Sequence, residues 1–378
     1  MSSFSSTRVL VTGSKGFIGQ NLILRLSELS KYEYLEFTRD DDPQSLYALV
    51  KNIDIVIHLA GENRPSDIRA FENVNVGLTK VLCDAVKQEI ETTGKEIKVI
   101  FASSRQAELE NPYGLSKLRA ESLIRDLSNS TSCPAVILRL PGVFGKWCKP
   151  NYNSVVATLC HNIANDLPIE INSPKKIITL SYVDDVIETI LNSFSTSDGV
   201  NFHRKLANEY EASLGELEQY IKRFAETSET LFTDRVGEGL PRALYSTFMS
   251  YLPTNKFVYD VKSHSDSRGV FVEMLKTKDC GQFSYFTAKP GVTRGGHYHH
   301  TKTEKFLVIK GEARFMFKNM RSNHMLEIFT SGSKPQIVDT IPGWAHDIKN
   351  IGSDELVVML WANEVFDINK QDTIAYKV

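Results

Sequence analysis

Residues 9–19 read Val-Leu-Val-Thr-Gly-Ser-Lys-Gly-Phe-Ile-Gly, an apolar strand-like run followed by glycines at 13, 16 and 19. In a strand-to-helix turn the first glycine allows the tight bend, the second lets the backbone approach a ligand, and the third permits close helix packing. The helix beginning near Phe17 adds the positive end of its dipole, which favours a pyrophosphate. The stretch predicts a dinucleotide-binding βα unit, with the cofactor held along Gly13, Ser14, Lys15, Gly16, Phe17, Ile18 and Gly19.

The rest of the first half alternates strand-like with helix-like segments. Helical apolar spacing covers Phe17–Leu29 and Val74–Gln88, and strand-like runs are Leu35–Phe37, Ile53–Leu59, Val99–Ala102 and Val136–Leu140. Such βαβα order predicts an α/β fold with a doubly wound, parallel Rossmann-type sheet.

The texture changes from about Phe257. Short alternating or β-branched runs follow, separated by glycine and charged turns: Val270–Met274, Phe283–Thr287, Phe306–Ile309, Ala313–Phe317 and Leu356–Trp361. They predict a small all-β antiparallel barrel. We therefore expect two domains, 1–250 and 256–378, with the seam near Pro241–Pro253.

Composition bounds the function classes. The chain has 378 residues, 42% hydrophobic and 24% charged, with a formal charge of −2. These values favour a soluble protein with no overall attraction to nucleic acid or to an anionic membrane. Five scattered cysteines without a Cys-x-x-Cys pair indicate reduced thiols. No secretory signal or membrane span is recognisable, so we expect a cytoplasmic protein.

Ser104, Tyr113 and Lys117 are the predicted catalytic residues. Tyrosine and lysine four apart share a helix face, and a nearby ammonium stabilises the tyrosinate, which makes the hydroxyl a better proton shuttle. Ser104 ends a strand-like run and is placed to hydrogen-bond a substrate carbonyl, with Ser103 the weaker candidate. Arg39, after the second strand, favours NADPH by pairing with its 2′-phosphate; the alternative is a solvated surface arginine.

With these motifs, residues 7–245 resemble the extended short-chain dehydrogenase/reductases that modify nucleotide sugars. The resemblance includes His58-Leu-Ala-Gly61, Asn73-Val-Asn-Val-Gly77, Arg139-Leu-Pro-Gly-Val-Phe-Gly145 and Ser181-Tyr-Val-Asp-Asp-Val186. It implies that Lys117 binds the nicotinamide ribose and that Tyr113 protonates a ketone oxygen. Further cofactor contacts are expected at His58, Leu59, Ala60 and Asn75.

Two further stretches bear on the substrate. Ser104-Arg-Gln106 lacks the Asp-Glu pair that 4,6-dehydratases of this superfamily place there, which favours reduction over dehydration. In the loop 144–154, Lys146 and Lys149 are candidates for a substrate diphosphate, and Asn151 and Asn153 for sugar or base. The alternative is a surface loop with two solvated lysines.

His297, His299, Glu304 and His346 form the predicted metal site. His297 and His299 are two apart and so point to one face of a strand. A His₃Glu set suits zinc, nickel, manganese or iron and leaves positions open for a substrate. The spacing with Gly291 and Gly311 matches a cupin pattern, and zinc is the leading expectation.

In this order the whole chain resembles the bifunctional bacterial capsular polysaccharide enzymes that make UDP-N-acetyl-6-deoxy-L-talosamine. The resemblance implies a homodimer and a UDP-linked 4-keto-6-deoxy-N-acetylhexosamine as substrate. The cupin domain would epimerise C3, and the first domain would then reduce C4. The alternatives are a reductase whose cupin domain only dimerises or holds structural metal, and a cofactor-sensing regulator.

Overall fold

The computed structural model describes residues 6–131, 133–195, 205–266, 269–272, 274–277, 281–364, 369 and 371–378. The chain divides into two compact units. One consists of residues 1–143 with 179–211, and the other of residues 144–178 with 212–378. The domain boundary predicted between residues 250 and 256 stays a prediction.

The first unit contains the predicted parallel sheet. Five strands lie in the order β2-β1-β3-β4-β5, all parallel. They are Thr7–Thr12 (β1), Tyr32–Phe37 (β2), Ile55–His58 (β3), Lys98–Ser104 (β4) and Ala135–Leu140 (β5). The helices between them are Phe17–Ser27 (α1), Leu46–Leu49 (α2), Leu78–Thr93 (α3) and Pro112–Thr131 (α4). This order confirms the predicted Rossmann-type sheet.

The buried strands explain why the run at residues 9–11 is wholly apolar. Val9, Leu10 and Val11 have no exposed surface, because a parallel sheet of this type is covered on both faces. Leu10, Val56 and Val99 belong to one core cluster that also receives side chains from α3 and α4. The strand order reverses between β1 and β3, and this reversal opens the crevice where ligands bind in such sheets.

Shorter elements connect the two halves of the sequence. The strands Gly142–Phe144 (β6), Ile177–Tyr182 (β7) and Tyr210–Ser213 (β8) form a three-stranded sheet, and Val155–Ala164 (α5) and Val183–Asn192 (α6) intervene in sequence. Single turns of other helix types occur at Pro43–Ser45, Phe71–Gly77, Arg105–Glu108 and Thr254–Lys256. No helix of the described residues is long and apolar enough to cross a membrane.

The second unit begins its C-terminal part with helices and continues with strands. The helices are Leu214–Ala225 (α7), Thr227–Thr230 (α8) and Gly239–Ser250 (α9), with the short strand Phe232–Thr233 (β9). Ser213 and Glu216 form a capping box that fixes the start of α7. Phe224 of α7 packs edge-on against Tyr245 of α9 at 5.1 Å, so an aromatic contact joins the two helices.

The predicted all-β domain contains two five-stranded antiparallel sheets and three further strands outside them. The orders are β10-β19-β16-β21-β14 and β18-β17-β20-β15-β22. The strands are Val258–Asp260 (β10), Ser263–Asp266 (β11), Gly269–Val272 (β12), Lys276–Thr277 (β13), Gln282–Ala288 (β14), Thr293–Tyr298 (β15), Glu304–Lys310 (β16), Glu312–Asn319 (β17), Met325–Ser331 (β18), Gln336–Asp339 (β19), Trp344–Asn350 (β20), Leu356–Ala362 (β21) and Ile374–Ala375 (β22). The cupin fold is confirmed; the predicted strand Val270–Met274 lies partly outside the described residues.

Candidate functional sites

In the glycine turn after β1, a side chain at Gly13 or Gly19 would clash with the backbone. Gly13 has φ +70°, and a Cβ there would lie 2.7 Å from the backbone nitrogen of Ala60. A Cβ at Gly19 would lie 2.2 Å from the carbonyl oxygen of Gly13. Gly16 caps α1 and offers no side chain to the first N–H groups of that helix. The turn therefore leaves backbone donors available to an anion, which fits a dinucleotide pyrophosphate.

Ser14 and Lys15 occupy different environments within the turn. Ser14 is 2% exposed, and its Oγ has no hydrogen-bond partner among the described residues. Lys15 is exposed, and its Nζ lies 3.0 Å from Asp40, which raises the pKa of Lys15. Phe17 and Ile18 are half-buried at the start of α1. Among these side chains, that of Ser14 has hydrogen-bonding capacity left for a ligand.

Arg39 follows β2 as predicted, and it has an acidic partner, Glu62. Its side chain is 84% exposed and forms an ion pair with Glu62. Glu62 is itself held by Asn75, whose Oδ1 accepts from Glu62 N at 2.8 Å and whose Nδ2 donates to Glu62 O at 3.0 Å. The arginine is thus anchored at the same edge of the sheet as the glycine turn, with its charge still largely in solvent.

His58 and Asn75, both predicted to contact a cofactor, have side chains engaged inside the protein. His58 is fully buried, with Nδ1 2.6 Å from Thr12 Oγ1 and Nε2 2.8 Å from Thr79 Oγ1. Burial lowers its pKa to about 3, so the ring is neutral. Asn75 is 2% exposed and also donates to Ser116 Oγ at 2.9 Å. Both side chains form hydrogen bonds that connect neighbouring elements of the first unit. Leu59 and Ala60, which follow β3, are half-buried.

Ser104, Tyr113 and Lys117 are brought together in the first unit. Ser104 ends β4, while Tyr113 and Lys117 lie one turn apart on α4. Burial raises the pKa of Tyr113, and a hydrogen bond with Ser104 opposes this rise. The tyrosine therefore keeps its proton at neutral pH and can act as an acid.

Lys117 is buried beside the tyrosine. Its Nζ donates to the carbonyl oxygen of Ala102 at 2.9 Å and lies over the ring of Phe101. Burial lowers its pKa to about 8, against the opposing influence of Glu121. The ammonium is retained at neutral pH, where it can stabilise negative charge on a neighbouring oxygen.

Sequence reasoning missed Gly114, which explains how the short interval from Ser104 to Tyr113 is accommodated. A Cβ at Gly114 would lie 2.1 Å from Gln106 O and 2.6 Å from Leu109 O. The missing side chain lets α4 approach the turn at Arg105–Glu108 closely, so the tyrosine reaches the end of β4.

A buried ion pair behind Lys117 was also missed. Glu121 has no exposed surface and accepts from Ser103 Oγ at 2.6 Å. It also accepts from Arg139 Nε at 2.8 Å and from Arg139 Nη2 at 2.7 Å. Glu121 follows Lys117 by four residues on α4, which was the one signal in the sequence. The pair gives the middle of α4 a fixed position against β4 and β5.

In the second unit, the loop 144–154 divides its predicted ligands between core and surface. Lys146 is fully buried, and a Cβ on Gly343 would lie 3.4 Å from its Cδ. Lys149 is exposed, with its ammonium 5.2 Å from the Tyr152 ring. Asn151 and Asn153 are exposed, and Asn151 donates its backbone N–H to Thr158 Oγ1 at 2.9 Å.

The predicted metal ligands lie together in the second unit. One potential donor atom from each of His297, His299, Glu304 and His346 falls within 4.8 Å of every other. Glu304 contacts two of the histidines: its Oε2 lies 3.2 Å from His299 Nε2 and 3.4 Å from His346 Nε2. Burial lowers the pKa of His346 and lowers that of His297 to about 3. Neutral imidazoles beside a carboxylate fit a divalent metal of the zinc type.

Two local features orient these ligands. Gly295 and Gly296 have φ +87° and +76°, and the register of β15 shifts there, so that His297 lies opposite His346. His299 Nδ1 donates to the carbonyl oxygen of Asp372, which leaves Nε2 as the ring nitrogen that could bind a metal. Asp372 was not predicted; it lies 73 positions from His299.

Asp372 also organises the loop that follows His299. Its carboxylate accepts from the backbone nitrogens of His300 at 2.8 Å, Thr301 at 2.7 Å and Lys302 at 2.8 Å. The loop between β15 and β16 therefore carries His299 and Glu304 to the cluster in a fixed conformation.

Comparisons with known proteins identify related families for both parts of the chain. The NAD dependent epimerase/dehydratase family matches residues 9–201, and the polysaccharide biosynthesis C-terminal domain matches residues 264–374. The chain is 51% identical to the UDP-2-acetamido-2,6-beta-L-arabino-hexul-4-ose reductase of Pseudomonas aeruginosa, over 98% of this chain and 99% of that protein. The capsular polysaccharide assembling protein CapF of Staphylococcus aureus has a similar structure, with TM-score 0.65, 36% identity, and 98% and 100% of the two chains covered. UDP-glucuronic acid 4-epimerase of Bacillus cereus, at 22% identity and TM-score 0.52 over 58% of this chain and 84% of its own, shares the fold.

Proposed function

Because the chain belongs to the NAD dependent epimerase/dehydratase family and carries the polysaccharide biosynthesis C-terminal domain, we propose that it is a UDP-sugar 4-keto reductase of capsular polysaccharide biosynthesis. The observation that carries the proposal is the Ser104–Tyr113–Lys117 group beside a turn that accepts only glycine at positions 13 and 19. The relatedness to the Pseudomonas aeruginosa reductase over nearly the whole chain supports the substrate class.

The residues divide the reduction between them. The glycine turn would hold NADPH, which would supply a hydride to C4 of the sugar. Tyr113, protonated at neutral pH, gives its proton to the C4 oxygen, and Ser104 orients that oxygen by a hydrogen bond. Lys117 holds the nicotinamide ribose and stabilises the tyrosinate left behind. The absence of an Asp-Glu pair after Ser104 favours reduction over elimination.

The cupin domain is proposed to act before the reductase, as a C3 epimerase. A C–H bond next to a ketone is acidic enough to exchange, whereas one next to an alcohol is not, so epimerisation must precede reduction. A zinc ion held by His297, His299, Glu304 and His346 would polarise the keto oxygen and make the C3 proton more acidic. Reduction then fixes the new stereocentre, and the product is UDP-N-acetyl-6-deoxy-L-talosamine.

The proposal extends to organisation and location. It assigns the reductase to residues 1–250 and the cupin domain to residues 256–378, in a cytoplasmic homodimer. Lys146, Lys149, Asn151 and Asn153 are the proposed substrate ligands, and the exposure of Lys149 supports a contact with a diphosphate.

The decisive experiment incubates the protein with UDP-4-keto-6-deoxy-N-acetylhexosamine and NADPH in D₂O and follows the products by NMR. Deuterium at C3 together with an alcohol at C4 supports both half-reactions and their order. Reduction without deuterium at C3 supports the second candidate, a simple ketoreductase whose cupin domain dimerises or holds structural metal. That candidate draws on the metal cluster being buried, which suits a structural site as well. If neither reaction occurs, the proposal is contradicted and a cofactor-sensing regulator is favoured.

Arg39 is expected to set the preference for NADPH. Replacing Arg39 by alanine removes a guanidinium that is 84% exposed, and we expect KM for NADPH to rise about 10- to 100-fold while KM for NADH changes little. Steady-state kinetics with both cofactors measure this. Arg69→Ala is the matched control, since Arg69 is exposed and paired with Asp67. An equal rise in KM for both cofactors would show that Arg39 does not set the preference for NADPH.

The reductase is expected to lose activity as the pH rises through about 8. Lys117 has a pKa lowered to about 8 by burial, so its ammonium is present below that pH and lost above it, while the raised pKa of Tyr113 keeps the acid protonated. We expect kcat/KM to fall about tenfold per pH unit on the alkaline side. Glu121→Gln removes the charge that supports the ammonium and should shift this fall to lower pH. A profile that is flat through pH 8 would contradict the role of Lys117.

A further inference from the structure

The cupin domain contains a cavity that the proposed reactions do not use. It has a volume of about 540 Å³, and its lining includes Arg314, Asp347, Lys349 and Lys377 together with Gly295 and Gly296. This volume lies within the range of small-molecule sites.

The cavity lies on the outer side of the sheet that carries two metal ligands. On β17 and β20, Phe315, His346 and Ile348 are at most 3% exposed and face the interior. Arg314, Asp347 and Lys349 alternate with them in sequence, so they face the other way. Strand β20 therefore carries the candidate metal ligand His346 on one face and the cavity residues Asp347 and Lys349 on the other.

The lining has unused hydrogen-bonding capacity. Asp347 is 8% exposed, and its Oδ1 has no hydrogen-bond partner within the described part of the chain. Nε of Arg314 likewise has none there, and its Nη1 is only 3.5 Å from Glu327. A buried polar group without a partner costs free energy, which a ligand can recover.

We propose that this cavity binds an organic phosphate, either a nucleotide or a sugar phosphate. Three cationic side chains, Arg314, Lys349 and Lys377, meet the phosphate oxygens. Asp347 Oδ1 accepts a hydrogen bond from a hydroxyl or amide group of the same ligand. Since Gly295 and Gly296 contribute no side chains, the cavity has room beside them for a ring of the ligand.

Equilibrium dialysis of the full chain with UDP, N-acetylglucosamine 1-phosphate and inorganic pyrophosphate tests the proposal. We expect a class of site that Arg314→Gln and Lys349→Gln each weaken about tenfold. Lys149→Gln, in the proposed substrate loop, and Lys334→Gln, an exposed lysine outside the cavity, should leave that class unchanged. UDP binding more tightly than the sugar phosphate identifies a nucleotide as the ligand, and the reverse order identifies a sugar phosphate.

Hydrogen–deuterium exchange gives a second readout, which locates the bound ligand on the protein. The favoured ligand should slow exchange at residues 293–297 and 346–349, and Arg314→Gln should abolish this protection. No protection at these residues, binding of pyrophosphate alone, or a site that survives both substitutions would overturn the proposal.

Discussion

The Tyr113→Phe enzyme is expected to oxidise NADPH about 10²- to 10⁴-fold more slowly than the wild type while still exchanging the C3 proton of the substrate. The phenyl ring fills the same space, so the change removes the acid and its hydrogen bond with Ser104 but little packing. Cofactor oxidation is followed by NADPH absorbance, and exchange by NMR in D₂O.

Tyr285→Phe is the matched control, because Tyr285 is 74% exposed on the cupin domain and should retain both activities. If Tyr113→Phe lost exchange together with reduction, while its thermal unfolding midpoint stayed that of the wild type, separate sites for the two half-reactions would be refuted. Unchanged NADPH oxidation would remove Tyr113 from the mechanism.

Substitution of His299 by alanine should have the opposite selectivity. His299 lies beside Glu304 in the buried cluster, and its Nδ1–H is fixed by Asp372, so the variant loses an oriented ligand. We expect metal affinity to fall by at least about 100-fold and C3 exchange to disappear with the metal. Metal content of the purified protein and deuterium at C3 are the two measurements.

His324→Ala serves as its control, since His324 is an exposed histidine of the same domain and lies outside the ligand cluster. Exchange that persists in the metal-free His299→Ala protein would refute the metal mechanism. Loss of metal with full reductase activity on a substrate that needs no epimerisation would show that the two sites are independent.

Local sequence patterns predicted residues that the fold brings together, and their functional roles stay predictions. The glycine turn, the Tyr113–Lys117 spacing and the His297–His299 alternation depend on one helix or one strand, whose geometry follows from the period of the backbone. The fold class was predictable for the same reason, because alternation of segments determines the sheet type.

Residues whose role depends on distant partners were not predicted. Lys146 is buried against Gly343, almost two hundred positions away, and nothing near it in sequence distinguishes it from the exposed Lys149. Asp372 supports His299 through a carbonyl oxygen, a group that every residue possesses. The division into units is also non-local, since residues 144–178 pack with 212–378.

That division has a consequence for synthesis of the protein. Residues 144–178 are synthesised before residues 212–378, which complete their unit. At about 5–20 residues per second, the wait is on the order of ten seconds or more. During it, Phe144, Val156 and Cys160, all fully buried at the end, have no finished core to enter. The nascent chain therefore exposes an apolar segment that chaperones can recognise, and the second unit can only close after residues 212–378 have been synthesised.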